Sequence, residues 1–273
     1  MPRIGRAVTW TSSPSAGDWG DATSGTGRAP IGPAGRTQLT ELHPFERDGC
    51  DGRDQEAPAV FRDRTDAGCR LAAMVSVPAE DSPVVVGLPR GGVPVAAEVA
   101  GALHAPLDVI LVRKLGVPSQ PELAVGAIGE GGVRVVHEGV RRAAAVSAPS
   151  LTSIEAHERA VLDHMARTFR RGRPPTPLQD RAVVVVDDGI ATGSTATAAC
   201  LVARARGAAR VILAAPVIAA STLASLREVS DDIVCVESPE PFISIGQWYQ
   251  DFTQTSDEEV LRLLGEASPG TRP

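Results

Sequence analysis

Apolar residues recur along this chain with two different spacings, and the change from one spacing to the other marks its predicted elements. Between residues 61 and 75, Ala67, Leu71, Met74 and Val75 recur at the spacing of one helical face. Short apolar runs then alternate with longer helical stretches. Strands are predicted at residues 84–88, 108–112, 183–188, 211–217 and 233–237. Further helices are predicted at residues 93–104, 151–171, 195–208 and 222–230, with another near the C-terminus.

This order of strands and helices predicts an α/β fold with a doubly wound, mostly parallel sheet. A small additional region is expected where residues 123–130 and 133–139 flank Gly131-Gly132, which is typical of a hairpin. Residues 1–57 are rich in Gly, Ser, Thr, Pro and Arg without a sustained period, which predicts a disordered or loosely ordered tail. The predicted domain covers residues 58–265, and residues 266–273 are expected to form a flexible C-terminus.

Composition narrows the class of protein. Hydrophobic residues make up 43% of the chain and aromatic residues only 3%, which suits an aliphatic α/β core. The net charge of −6 argues against a nucleic-acid partner. No apolar run reaches the roughly 20 residues of a membrane span, so no membrane partner is expected. Four scattered cysteines without zinc spacing favour a reducing cytoplasm, with Cys69, Cys200 and Cys235 predicted as core residues.

Three polar clusters follow directly after predicted strands. They are PRGG at residues 89–92, Arg113-Lys114, and DDGIATGST at residues 187–195. Because ligands bind beyond the carboxyl ends of parallel strands, all three are expected at one edge of the sheet. The second Asp-Asp pair, Asp231-Asp232, precedes its strand, so it is predicted to be a solvated turn at the opposite edge.

The third cluster combines features suited to a phosphorylated sugar. The loop of residues 191–195 opens a helix, whose free N–H groups bind anions, and Thr192, Ser194 and Thr195 add hydroxyl groups. The carboxylates of Asp187 and Asp188 would repel phosphate but can accept hydrogen bonds from a diol. PRGG offers a second anion site through Gly91, Gly92 and the guanidinium of Arg90. The pattern therefore predicts a ribose that carries phosphate at one end and another anionic group at the other.

Residues 183–195 resemble the signature of the type I phosphoribosyltransferases, which is a hydrophobic strand, two acidic residues and a loop ending T-G-x-T. The likeness extends over about residues 58–265, where GLPRGGVPVA, RKLGVPSQPELAVGA and QWYQDF are similar to a bacterial subgroup usually described only by its family. It implies that Asp187 and Asp188 hold the ribose hydroxyls of 5-phosphoribosyl-1-pyrophosphate (PRPP). Residues implied to bind the 5-phosphate are Ala191, Thr192, Gly193, Ser194 and Thr195.

The same resemblance implies a pyrophosphate site and a catalytic loop. The pyrophosphate would be bound by residues 88–92, where the family often has a non-proline cis peptide: Pro89, Arg90, Gly91 and Gly92. Arg113 and Lys114 would assist it from a mobile catalytic loop that extends to about residue 126. The catalytic residues would thus be Arg113, Lys114, Asp187 and Asp188. Mg²⁺ is implied as the cofactor, held mainly through substrate and water rather than by direct protein ligands.

The resemblance implies transfer of a phosphoribosyl group to a nitrogenous base or related acceptor, and family habit suggests a homodimer. Ala191 stands where the hypoxanthine/guanine-type enzymes have Asp, which makes a 6-oxopurine acceptor less favoured. Trp248 and Tyr249 are candidates for stacking on the acceptor, together with Phe242 and Phe252, although all four also suit a core. His157 and His164 are predicted to be surface residues.

Other functions fit the sequence less well or differ only in catalysis. A non-catalytic member of the fold, acting as a regulator or as a nucleotide or PRPP sensor, would retain the same site. A P-loop NTPase would need GxxxxGK[ST], and a dinucleotide oxidoreductase would need GxGxxG at a first strand–helix turn. A receiver domain would need a separate acceptor Asp and a Lys at later strand ends. None of these patterns occurs where it would be required.

Overall fold

The computed structural model of the protein describes residues 7–10 and 60–266. The predicted tail therefore lies outside the described residues, apart from the first strand, and the predicted flexible C-terminus lies outside them beyond residue 266. The strands are β1 (Ala7–Trp10), β2 (Val84–Gly87), β3 (Leu107–Val109), β4 (Val112–Val117), β5 (Gln120–Gly129), β6 (Val133–His137), β7 (Ala182–Val186), β8 (Arg210–Val217) and β9 (Asp232–Glu237). The helices are α1 (Arg64–Ala72), α2 (Gly92–Leu103), α3 (Glu138–Ala143), α4 (Ala148–Arg170), α5 (Ser194–Ala205), α6 (Leu223–Leu226) and α7 (Asp257–Glu266).

The main sheet has five parallel strands in the order β3-β2-β7-β8-β9. Both of its faces are covered, which explains the four consecutive valines of β7. Val183 and Val185 pack in the same cluster as α5. Val184 and Val186 point to the other face and pack in the cluster that contains α2, α4 and α7. The predicted doubly wound, mostly parallel sheet is confirmed.

A second sheet, in the order β1-β6-β5-β4, stands beside the first. Its β5 and β6 pair antiparallel across a short turn that contains Gly131 and Gly132, both with positive φ, as the hairpin prediction required. β1 pairs parallel with β6. This sheet supplies the expected small region next to the main domain.

The predicted strand at residues 108–112 is wrong in extent. Its first part is β3, which belongs to the main sheet, whereas Val112 begins β4 in the second sheet. The predicted loop at residues 113–126 is likewise a β4–β5 hairpin with an irregular register near Leu115 and Gly116. Leu115 and Val125 are fully buried in the cluster that also contains α4 residues, so this segment packs as a strand pair despite its Gly and Pro content.

Arg170, at the end of α4, joins the two sheets. Its guanidinium forms an ion pair with Asp108 of β3 and donates to the Val109 carbonyl at 2.9 Å. It also donates to both carboxylate oxygens of Glu130, in the β5–β6 turn, at 2.6 to 3.1 Å. Arg170 and Asp108 are both buried, and each buried charge is compensated by the opposite charge of its partner. The network fixes the turn of the hairpin sheet against β3, an edge strand of the main sheet.

Two further predictions need correction. Cys69 was predicted to be a core residue but is exposed. It lies on the polar side of α1, where its Sγ is 3.4 Å from the Glu98 carboxylate of α2. Cys200 is buried as predicted. The helix predicted at residues 222–230 is only the four-residue α6. No helix within the described residues combines the length and the apolar character that crossing a membrane requires.

Candidate functional site

Asp187 and Asp188, here called the acidic pair, directly follow β7 at the carboxyl edge of the main sheet. The Asp188 side chain is only 13% exposed. Burial, followed by the charge of Asp188, raises the pKa of Asp187 well above its usual range. Burial also raises the pKa of Asp188, although a neighbouring guanidinium opposes this shift. Placing two ionisable carboxyl groups side by side with this little exposure costs stability. Carboxyl groups with such perturbed pKa values are concentrated in functional sites.

The PRGG loop, residues 89–92, lies against the acidic pair. The Leu88 N–H donates to the Val186 carbonyl at 2.8 Å, so the two strand ends run together. The Pro89–Arg90 peptide bond is cis, as the resemblance implied. A side chain at Gly91 would collide with the Asp188 carboxylate. A Cβ at Gly92 would lie 2.6 Å from the Val186 carbonyl oxygen. Both glycines are required for this close approach.

The cradle loop, residues 191–195, leads into α5. Gly193 has φ +75°, a left-handed value that favours glycine, and no side chain caps the helix start. The Thr192 and Ser194 hydroxyls donate to the carboxylate of Glu122, from β5, at 2.9 and 3.2 Å. Lys114 of β4 donates to Glu122 at 3.0 Å and to the Ser194 hydroxyl at 3.2 Å. One carboxylate thus accepts hydrogen bonds from two hydroxyls and a lysine at the start of α5.

Arg113 and Lys114 are not brought to the same place. Consecutive residues of a strand point to opposite faces. Lys114 faces the cradle loop, whereas Arg113 forms a 2.6 Å ion pair with Glu158 of α4. The structure thus separates the two residues, since Lys114 lies at the cradle loop and Arg113 lies at α4. Their expected shared role at the pyrophosphate stays a prediction. Arg90 points away from the cradle loop and lies 3.5 Å from Asp257 at the start of α7.

The aromatic residues of the C-terminal segment divide into structural and accessible ones. Tyr249 is buried between the rings of Phe61 and Phe252, and its hydroxyl donates to the Asp188 carbonyl at 2.6 Å. Burial raises the Tyr249 pKa, which keeps this hydroxyl protonated. Tyr249 thus supports the acidic pair and has no free face for stacking. Trp248 is partly buried in the same cluster, whereas Phe252 is 36% exposed.

Arg64, at the start of α1, is a site residue that the sequence analysis missed. Its Nε donates to Asp188 Oδ2 at 2.8 Å across 124 positions of the chain. Arg64 belongs to no recognisable motif. The apolar face of its helix predicted the helix but gave no indication that Arg64 reaches Asp188. The contact depends on how α1 packs against the C-terminal segment, where the Phe61 N–H donates to the Trp248 carbonyl at 2.9 Å.

A surface cavity of about 510 Å³ opens beside the acidic pair. Arg64, Arg90 and Asp188 line its polar side, and Phe252 and Met165 line its apolar side. The cavity is thus bounded by α1, the PRGG loop, α4 and the segment before α7. His164, predicted as a surface residue, is exposed and also lines this cavity.

The second Asp-Asp pair is at the opposite edge, where β8 and β9 begin. It is more ordered than the predicted solvated turn, because Asp231 accepts from the Val211 N–H at 2.7 Å and Asp232 accepts from Arg210 Nε at 3.0 Å. Elsewhere, the described residues contain no group of three or more His, Cys, Asp or Glu side chains that could hold a metal ion.

The chain is similar to known proteins in both sequence and structure. A family profile described as "Phosphoribosyl transferase domain" matches residues 70–249. Two curated relatives from Mycobacterium tuberculosis strains, each named "putative phosphoribosyl transferase", are 51% identical over 208 residues, which are 76% of this chain and 47% of theirs. The chain therefore spans about half the length of these relatives. The crystal structure of TT1426 from Thermus thermophilus is 40% identical with a TM-score of 0.69, covering 76% of this chain and 99% of that one.

Proposed function

The chain belongs to the phosphoribosyl transferase domain family, and on this premise we propose that it binds PRPP and transfers the phosphoribosyl group to a nitrogenous base or related acceptor. The observation that carries the proposal is the meeting of the acidic pair with two glycine-dependent anion loops at one sheet edge. A diol clamp between two anion sites matches the chemistry of a ribose with phosphate at one end and pyrophosphate at the other.

Each part of the site has a role in this proposal. The carboxylates of Asp187 and Asp188 accept hydrogen bonds from the ribose 2- and 3-hydroxyls. The uncapped N-terminus of α5 binds the 5-phosphate with the hydroxyls of the cradle loop and with Lys114. The PRGG loop and Arg90 bind the pyrophosphate. Arg113 can also bind the pyrophosphate, but only after its ion pair with Glu158 breaks. This change requires movement of the β4–β5 hairpin.

In the reaction, the bond from ribose C1 to the pyrophosphate oxygen breaks and a bond from C1 to the acceptor nitrogen forms. Pyrophosphate leaves with the bonding electron pair, and the acceptor nitrogen loses its proton to water. The residues of the site act mainly by positioning both reactants and by neutralising the leaving group. Excluding water protects the electron-poor C1 from hydrolysis.

The site fits Mg²⁺ held mainly through substrate and water, because Mg²⁺ prefers oxygen ligands, which the phosphates of PRPP, water and the carboxylates of the acidic pair would offer. When bound, Mg²⁺ would supply positive charge to the departing pyrophosphate. The cavity lined by Phe252 and Met165 is the proposed acceptor site, since it adjoins the acidic pair and an aromatic ring forms part of its wall. Ala191, in place of an acidic residue, favours an acceptor other than a 6-oxopurine.

Calorimetric titration with PRPP, followed by a pyrophosphate-release assay over a panel of nucleobases, tests the proposal. We expect PRPP to bind and pyrophosphate to be released with at least one acceptor when Mg²⁺ is present, and release to stop when EDTA removes the metal. Binding without release with any acceptor would instead favour the PRPP sensor. Absence of PRPP binding would contradict both functions.

Glu122 provides a second test, because its carboxylate occupies the cradle loop in this conformation. The Lys114 ammonium is the leading cause that lowers the Glu122 pKa, so Glu122 is ionised at neutral pH and competes with a phosphate for the same hydroxyls. We expect Glu122→Gln to tighten PRPP binding several-fold in calorimetric titrations. Glu80→Gln, at an exposed glutamate of a separate turn, is the control. Weaker binding by Glu122→Gln would show that the carboxylate assists the ligand instead.

A further inference from the structure

Arg64 makes a partly buried ion pair with one member of the acidic pair. Its Nε lies 2.8 Å from Asp188 Oδ2, and the two side chains are only 11% and 13% exposed. A pair with this little exposure is poorly screened by water, so its geometry matters more than that of a surface pair. The hydrogen bond engages Oδ2 and leaves Oδ1 of Asp188 to accept from a ligand.

Arg64 is itself held from other directions. Its Nη1 donates to the Thr253 carbonyl at 2.6 Å. Its guanidinium lies 4.1 Å from the centre of the Phe252 ring and 6.0 Å from that of Tyr249. The position of Arg64 therefore depends on the segment that also supplies the aromatic wall of the cavity. One guanidinium connects that wall to the Asp188 carboxylate.

The charges around Asp188 make Arg64 its main counter-ion. Asp187 adds a negative charge from the same loop, and Tyr249 contributes a neutral hydroxyl from the C-terminal segment. Of the other basic residues near this edge, Lys114 pairs with Glu122, Arg90 with Asp257 and Arg113 with Glu158, while His164 of α4 lines the same cavity. The hydrogen bond and charge of Arg64 oppose the burial that raises the pKa of Asp188, and its charge also acts on Asp187.

We propose that Arg64 is a positioning residue that keeps the Asp188 carboxylate ionised and turned with Oδ1 toward the ribose diol. This inference rests on the proposed function, because the diol belongs to PRPP. It assigns to α1, outside every recognisable motif, a direct part in the competence of the acidic pair. Removal of the guanidinium should raise the pKa of the pair and free Asp188 to rotate.

Calorimetric titration of PRPP between pH 5 and pH 8 tests the role of Arg64. For Arg64→Met we expect binding at neutral pH to weaken at least about tenfold. We also expect the pH at which binding is half lost to rise by about one unit, because a carboxylate without its cation protonates at a higher pH. Arg64→Lys, which retains the charge, should keep the wild-type midpoint and recover part of the affinity.

Arg70→Met is the matched control, since Arg70 is on the same helix, pairs with Asp66 and lies 5.6 Å from the centre of the Phe61 ring. It should leave the pH midpoint of binding unchanged. A weakened Arg64→Met with the wild-type midpoint would overturn the proposal and leave Arg64 a packing role. If Arg64→Met does not fold, Arg64→Lys provides the test: a pH midpoint of binding different from that of the wild-type protein would overturn the proposal. Failure of the wild-type protein to bind PRPP would instead contradict the proposed function.

Discussion

Replacing both residues of the acidic pair, Asp187→Asn together with Asp188→Asn, is expected to weaken PRPP binding at least about a hundredfold. Asparagine retains the size of aspartate but loses the charge and replaces one acceptor oxygen with a donor. Two charge-assisted hydrogen bonds to the ribose hydroxyls would then be lost or reversed. Calorimetric titration measures the loss directly, and unchanged affinity would show that the diol clamp is assigned to the wrong residues.

The matched control is Asp231→Asn together with Asp232→Asn, the same dipeptide at the opposite edge of the sheet. These aspartates contact Arg204, Arg210 and the Val211 N–H, and they lie where β8 and β9 begin, whereas the cradle loop follows the carboxyl end of β7. We expect PRPP affinity equal to that of the wild-type protein. A large loss in this control would mean that carboxylate removal acts through general destabilisation.

The single variant Asp187→Asn separates binding from stability. The folded-state pKa of Asp187 is raised above its ordinary value of 3.8. A raised pKa contributes stability that is complete below the ordinary value and is lost as pH increases through the raised one. Above the ordinary value, the buried Asp187 carboxyl therefore lowers the free energy of unfolding. Asp187→Asn should unfold at the same or a higher temperature at pH 7 while binding PRPP more weakly.

The second large effect is expected at Gly92, where the PRGG loop enters α2. The Cβ of Gly92→Ala would lie 2.6 Å from the Val186 carbonyl oxygen and 2.9 Å from Asp187 Cα. Both atoms belong to the backbone, so neither can rotate away. The PRGG loop must then separate from the acidic pair. We expect unfolding free energy to fall by about 1–3 kcal/mol and PRPP affinity to fall at least about tenfold.

Gly101→Ala, in the same helix, is the control for Gly92→Ala. Apart from the adjacent residues and the backbone of its own helix, no atom lies within 4 Å of the position its Cβ would take. Alanine in a helix is favoured over glycine, so this variant should gain about 0.5–1 kcal/mol of stability with unchanged PRPP binding. Urea denaturation and calorimetric titration give the two readouts. Equal behaviour of the two variants would show that close approach of the loops at Gly92 is not required.

The main sheet and its acidic edge could be predicted from the sequence because both depend on residues that are adjacent in the chain. Four valines buried on both faces, followed by Asp187 and Asp188, need no distant residue to be recognised. The β4–β5 hairpin was missed because its Gly and Pro content resembles a loop, while Leu115 and Val125 become buried only in a cluster built with distant residues, including those of α4. Arg64 was missed for the same reason, since its contact with Asp188 joins residues 124 positions apart.

Tyr249 is the single tyrosine of the chain, and its hydroxyl rests on the Asp188 carbonyl. Incorporation of 3-fluorotyrosine would therefore place one fluorine label in the whole protein, next to the acidic pair. Its ¹⁹F spectrum would contain a resonance from that position alone, without assignment by mutagenesis. The fold thus carries its own spectroscopic reporter for occupancy of the site.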